Sequence, residues 1–407
     1  MAFDVRIPEP GELDELFAVN SFSFGMPPSA ERVELSLKLA DRERLLGAWV
    51  DGRCVGSAGA FTFELSVPGA SLACGGVTWV GVAPTHRRRG ILTALMTTQL
   101  AQIRERGEAI AALWASEAPI YGRFGYGLAM QQYEEVRLAR VHAQLRGHPG
   151  ARGRARLVDR AEALATWPAA WEAARAQRAG LHSRTAAWWE VRVLPEQDRP
   201  EAGWSPAFLV SLEDGGETIG YVRYRVKRGW RHGLAAGELE VLELVGVDGG
   251  AEAALWEYVF GVDLIETVAA HNRPFDEPLF GLLEDPRRLE RYPVDALFCR
   301  VLDPAAALEG RRYGREGRLV FEVVDDFGGY AGGRFVLEGG PDGARCRPTG
   351  ETAMLTLPAE ELGALYLGQA SALALWRAGR VEGSEAAARA AELLFRWHPE
   401  PWAPEIW

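Results

Sequence analysis

Residues Val77 to Met96 read as an apolar strand, a basic turn with one glycine, and an amphipathic helix: VTWVGV, then APTHRRRG, then ILTALM. Three consecutive arginines, Arg87, Arg88 and Arg89, are a costly choice for a turn that only reverses the chain. A helix start rich in unbonded N–H groups and positive charge is suited to phosphates. Ile91, Leu92, Leu95, Met96, Leu100 and Ile103 recur at helical spacing, so one face packs inward while the turn stays exposed. Gly90 lets the backbone approach a ligand closely. The segment is therefore predicted to cradle a pyrophosphate inside an α/β layer.

The turn is neither of the two common phosphate loops. No Gly-Lys-Ser or Gly-Lys-Thr occurs, and no Gly-x-Gly-x-x-Gly follows the strand. It resembles instead the Arg/Gln-x-x-Gly-x-Gly/Ala signature with which GNAT-superfamily N-acetyltransferases hold acetyl-coenzyme A. Leu92 departs from the small residue of that pattern. A second block, ALWASEAPIYGRFGYGLA from Ala112 to Ala129, narrows the resemblance. Together the two blocks resemble the enhanced-intracellular-survival (Eis) family of aminoglycoside N-acetyltransferases. The resemblance implies a chain of mixed α/β and α+β class: two tandem GNAT-like domains, the second degenerate, followed by a sterol-carrier-protein-like α+β domain. It also implies acetyl-CoA as co-substrate, a cationic small-molecule amine as acceptor, and a homohexamer.

Composition is compatible with that reading. The chain has 407 residues and 48% apolar content, enough for two or three cores. No apolar run of about 18 residues and no signal segment is evident, so neither a membrane span nor secretion is expected. Cys54, Cys74, Cys299 and Cys346 lie far apart without a C-x-x-C pair, which argues against a zinc site or a disulfide framework and points to a reducing cytoplasm; no metal is expected. A formal charge of −11 disfavours nucleic acid and would attract cationic amines, although by itself it reads first as a device for solubility.

Helical spacing covers Gly11 to Phe22 and Ser29 to Ala40, and strands are expected at Leu45–Val50, Cys54–Phe63 and Val77–Val82. The N-terminal GNAT domain is placed at residues 1–145, with Arg137 to Arg156 as its connection to the next unit. In the central domain, 146–292, Leu244-Val245-Gly246-Val247-Asp248-Gly249-Gly250 and the helix after it echo Trp79-Val80-Gly81-Val82. There an acidic Asp248 stands where the first copy has cations and would repel a pyrophosphate. From about Pro293 to Trp407 the expected strands are Ala296–Leu302, Arg318–Asp325, Gly333–Glu338 and Ala353–Leu357, with three helices after Pro358. A region of this shape read alone suggests lipid binding, by fold analogy.

Acetyl transfer to an amine needs an uncharged nitrogen, a polarised thioester, and a proton for the departing thiolate. The strand ending Val80-Gly81-Val82 is expected to splay from its neighbour and lend backbone groups to the pantetheine arm and the thioester oxygen. Arg88, Arg89, Gly90, Ile91, Leu92 and Thr93 are expected around the pyrophosphate, with Arg87 ranked below them. By the resemblance, Ser116 and Glu117 match cofactor-contacting positions and Tyr121 matches the general acid; Tyr126 offers the same chemistry but reads as a packed ring. A phenol near pKa 10 and a thiol near 8.5 differ by about 1.5 units, roughly 2 kcal/mol. The resemblance makes the α-carboxylate of Trp407 the base, carried by a tail that three prolines stiffen. Glu405 stands one place further from the end than the acidic residue that pattern expects. Rival readings are a protein-lysine or polyamine acetyltransferase and, from another class, a lipid binder.

Overall fold

The computed structural model describes residues 3–198 and 200–407 and separates into two compact units. The first contains the described residues up to Met130, then Ala296–His398 and Ile406–Trp407; the second contains Gln131–Asp295 and Pro399–Glu405.

In the first unit a seven-stranded sheet runs, in spatial order, Asp4–Arg6, Leu45–Val50, Arg53–Val67, Ala70–Val82, Ile110–Trp114, Leu297–Val301 and Gly127–Leu128. All neighbours are antiparallel except Ala70–Val82 and Ile110–Trp114. A parallel pair requires a crossover, which the helix Ile91–Glu105 supplies. Its buried residues Ile91, Leu95, Met96, Gln99, Leu100 and Ile103 form one face. Met96, Leu100 and Ile103 pack with Val77, Ala111 and Leu113, while Ile91 and Leu95 pack with Leu46, Ala48 and Ala58. The helix stops at Gly107, whose φ of +80° is left-handed, with Glu108 N–H donating to the Ile103 carbonyl at 3.3 Å.

The same unit carries a five-stranded sheet in the order Gly343–Pro348, Gly333–Gly340, Gly317–Val324, Leu355–Pro358 and Glu382–Gly383. The helices Ala359–Leu365, Ala372–Arg377 and Glu385–Phe395 follow its main strands. Helix Ala359–Leu365 lies directly on the strands Gly127–Leu128 and Leu297–Val301: a Cβ at Gly127 would overlap the Glu360 carbonyl, and one at Gly363 would overlap the Cys299 carbonyl.

The second unit repeats the arrangement. Its seven-stranded sheet runs Glu290–Asp295, Gln131–Ala139, Ile265–Pro274, Gly237–Gly246, Glu217–Lys227, Phe208–Asp214 and Arg154–Leu157. The single parallel pair, Gly237–Gly246 with Ile265–Pro274, is bridged by the helix Gly249–Gly261.

Three segments depart from the sequence reading. Gln131–Ala139 begins before the expected boundary at residue 145 and is a strand of the second sheet, although its last residues were expected in a linker. Its buried positions Gln132, Val136 and Leu138 face inward, and the charged residues between them masked that alternation. Arg154–Leu157, read as the end of the same linker, is an edge strand. The strand at Leu297–Val301, expected in the third region, lies in the first sheet between Ile110–Trp114 and Gly127–Leu128. Its near-complete burial explains its apolar run but not its destination.

Candidate active site

A cleft of about 440 Å³ opens in the first unit where the parallel strands part. Pairing between Ala70–Val82 and Ile110–Trp114 ends at Gly76 opposite Ala112, so Val77–Val82 has no strand partner on that side among the described residues. On its other side Ser57 pairs with Gly81 and Gly59 with Thr78, leaving Trp79 and Val80 opposite Ala58 in a β-bulge. Trp79 takes φ +51° there, and the Ser57 hydroxyl donates to its carbonyl at 2.9 Å. The bulge turns the strand end, and Val80, Gly81 and Val82 line the cleft.

The basic turn forms the next wall. Arg88 adopts φ +63° and Gly90 φ +82°. Gly90 is the N-cap of the helix and no side chain caps the first turn. The N–H groups of Ile91, Leu92 and Thr93 precede the first backbone bond of the helix, from Ala94 N–H to the Gly90 carbonyl at 3.0 Å, and all three residues line the cleft. Of the arginines, Arg87 and Arg88 line it and Arg89 does not. The sequence ranked Arg87 below Arg89, and it is Arg87 that the cleft lining includes. Leu92, expected both on the apolar face and beside the pyrophosphate, is half-buried, packs against the Met96 and Leu100 cluster, and lines the cleft.

The opposite wall comes from the second block. Ser116, Glu117, Ile120, Tyr121 and Arg123 lie along it. The helix Ala118–Tyr121 begins with Pro119 in its first turn, and Gly125 ends the turn after it with φ +78°. That glycine also leaves room for Arg300, whose guanidinium a Cβ there would strike at 2.5 Å. Arg300 arrives on the strand Leu297–Val301 and pairs with Asp325 at 2.7 Å, both groups buried. Sequence reasoning passed over Arg300 because its strand was assigned elsewhere. Ser23 and Phe24, at the end of the helix Leu13–Ser23, and His86 complete the wall. The exposed Phe22, Phe24 and Met26 were the available signal.

Tyr121 is 6% exposed, and burial pushes its phenol up to about 12. Tyr126 lies edge-on to it at 6.1 Å, is fully buried with no hydrogen-bond partner for its hydroxyl, and does not line the cleft. Trp407 does not line the cleft either. Its ring packs edge-on against Phe63 at 5.2 Å and Trp114 at 6.3 Å, the latter two residues before Ser116. Phe61 and Trp79 continue the aromatic row, 4.9 Å apart.

Glu405 is not a free acidic group. In the second unit it accepts from Arg184 Nε at 2.8 Å and from Trp188 Nε1 at 3.1 Å, and lies 3.4 Å from His182 Nε2. Burial pushes its carboxyl up, but the Arg184 charge and the His182 hydrogen bond outweigh burial and hold it far below the usual carboxylate range. Arg184 also holds Glu243 at 2.5 Å and lies 3.4 Å over the Trp171 ring. Pro401 to Pro404 are buried, so this stretch of tail is not frayed.

Asp248 accepts from Ala251 N–H at 2.9 Å and pairs with Arg152 at 2.7 Å, so the corresponding helix start in the second unit is already capped by a carboxylate. Among the described residues no three His, Cys, Asp or Glu side chains converge as metal ligands, and no helix is long and apolar enough to cross a membrane. All four cysteines are buried free thiols.

Three family models match successive segments of the chain. Residues 4–129 match the family described as an acetyltransferase (GNAT) domain, residues 180–301 match a second family of that description, and residues 304–404 match a sterol carrier protein domain. An uncharacterized N-acetyltransferase of Streptomyces avermitilis is 40% identical over 384 residues, 93% of each chain. The N-acetyltransferase Eis of Mycobacterium tuberculosis is 36% identical over 343 residues, 82% of this chain and 81% of its own. The crystal structure of Eis1 from Mycobacterium abscessus superposes with a TM-score of 0.88 at 33% identity, covering 99% of this chain and 100% of that one. GNAT acetyltransferases take their acyl group from acetyl-CoA. With two GNAT domains and a sterol-carrier-protein domain in this order, the chain belongs to the Eis family of GNAT N-acetyltransferases.

Proposed function

We propose that this protein transfers the acetyl group of acetyl-CoA to amines of aminoglycosides or related polyamines, directly, within a ternary complex. The observation that carries the reading is the convergence of an unpaired strand edge, an uncapped basic helix start and a buried tyrosine on one cleft. The Ile91, Leu92 and Thr93 N–H groups and the Arg88 guanidinium suit a diphosphate. The backbone of Val80, Gly81 and Val82 offers hydrogen bonds to an extended amide-bearing arm, and Ser116 and Glu117 flank it. Overall acidity favours a cationic acceptor.

Tyr121 delivers its phenolic proton to the departing sulfur. With the phenol at about 12 and a thiol near 8.5, complete transfer from the unliganded enzyme is uphill by about 3.5 units, roughly 5 kcal/mol. That exceeds the gap expected from sequence, since burial destabilises the tyrosinate. Proton transfer is therefore concerted with cleavage of the carbon–sulfur bond, and the acid stays protonated throughout the neutral range. Tyr121→Phe should lower coenzyme A release in the presence of an aminoglycoside about a hundredfold or more. Unchanged turnover removes Tyr121 from this role. A substrate panel read by mass spectrometry tests the acceptor class: acetylation confined to protein lysines rejects it. The base assigned by resemblance, the Trp407 carboxylate, is tested by adding one residue after it.

A further inference from the structure

The second unit holds a cavity of about 320 Å³ that acetyl transfer does not use, at the low end of the ~300–1,000 Å³ common for small-molecule sites. It lies where the strand Gly237–Gly246 leads into the helix Gly249–Gly261, and the tail residues Pro399 and Trp402 form part of its wall. Its position in the β-α-β order matches that of the acetyl-CoA cleft, but its chemistry is of opposite sign.

Four charged side chains line the cavity: Arg178, Asp248, Glu252 and Asp276. Arg178 pairs with Asp276 at 2.6 Å, and Asp248 with Arg152 at 2.7 Å. Behind them Glu277 pairs with Arg273 at 2.6 Å. Glu252 remains over. It is 7% exposed, its N–H bonds the Asp248 carbonyl at 3.0 Å, and its carboxyl makes no hydrogen bond or ion pair among the described residues. A Cβ at Gly246 would lie 2.8 Å from the Glu252 Cγ, so the glycine makes room for this acid. An ionised carboxyl kept buried without a counter-charge is costly, and a bound cation removes that cost.

We propose that this cavity binds a small organic cation, a primary ammonium whose charge pairs with the Glu252 carboxylate while its carbon frame lies against Leu181 and Trp402. The charged groups around Glu252 are Glu277, Asp276, Arg273 and Arg178, with Asp248 at the start of its own helix. Burial, and then the Glu277 charge, push the Glu252 carboxyl up to about 7. The ionised fraction therefore rises about tenfold between pH 6 and pH 8.

Calorimetric titration of the full chain with 1,4-diaminobutane at pH 8 tests this. Glu252→Gln should lose one binding event per chain while its acetyl-transfer KM for the amine stays unchanged, which separates this site from the acetyl-transfer cleft. Crystals soaked in the amine should show it beside Glu252. Identical stoichiometry and affinity in Glu252→Gln overturn the proposal. For a readout that does not depend on the variant folding, this event in the unaltered protein should tighten about tenfold from pH 6 to pH 8, and a flat profile overturns the proposal. Two coenzyme A molecules bound per chain would also overturn it, by making the cavity a second acyl-carrier site.

Discussion

Replacing Glu405 with alanine removes one of the two carboxylates that neutralise a buried arginine. Breaking a buried ion pair costs about 3–5 kcal/mol. Arg184 keeps Glu243 as a partner, which places the loss near the lower limit, while the Trp188 indole loses its acceptor at a cost of about 1 kcal/mol. For a unit of 150–250 residues each kcal/mol is worth about 2–4 °C, so the second unit's melting transition should fall by on the order of 10 °C. The remaining tail contacts, Trp402 N–H to the Ala179 carbonyl and Asn272 Nδ2 to the Pro404 carbonyl, both at 2.9 Å, limit the damage. The pH dependence has a definite sign. Glu405 is held below its unfolded pKa of about 4.3, so its contribution is present above that value and is lost as pH falls toward the lower folded one. Scanning calorimetry should show the gap between the unaltered and Glu405→Ala proteins narrowing from pH 5 to pH 3. Under the proposed base assignment kcat falls too, because Trp407 follows two residues later, whereas a one-residue extension should lower kcat with little change in melting. A melting point within 1 °C of the unaltered protein at pH 7 refutes the clamp.

Arg88→Ala should raise the KM for acetyl-CoA about tenfold or more, as expected from the ~1.5–3 kcal/mol of a charged hydrogen bond, with kcat little altered; Arg89→Ala should do less, since Arg89 does not line the cleft. Equal effects in steady-state assays contradict the arrangement of the turn. For the phenol, the pH profile of kcat should show no descending limb from Tyr121 between pH 7 and pH 10, given its value of about 12. A limb near pH 9 that vanishes in Tyr121→Phe refutes the burial argument. The raised pKa also contributes stability that is complete below about pH 10 and is lost as pH rises toward 12, so alkaline unfolding should be shallower in Tyr121→Phe.

The two main walls of the candidate cleft were legible because each is local, whereas Ser23 and Phe24 come from a distant helix. One run of twenty residues carries the strand, turn and helix, and one run of eighteen carries Ser116, Glu117 and Tyr121. Periodicity and turn chemistry act over such distances. The bulge at Trp79 and Val80 was not legible, since it exists only against Ala58 on the neighbouring strand. Arg300 escaped, and Glu405 was singled out without its partner, for a related reason: an isolated charge does not reveal its distant partner, Asp325 or Arg184. Leu92 departs from the small residue of the GNAT signature, and the structure places that residue half-buried on the cleft wall.

The place of Leu297–Val301 between Ile110–Trp114 and Gly127–Leu128 bears on how the protein is made. A ribosome must synthesise the whole span from Gln131 to Asp295 before the first sheet receives this strand. Until then the nascent chain carries two bare edges with unsatisfied main-chain donors and acceptors, the kind of surface that templates aggregation. Cutting the gene after Met130 would make that transient state permanent, whereas appending the Leu297–Val301 strand through a flexible linker would offer those edges the partner they lack.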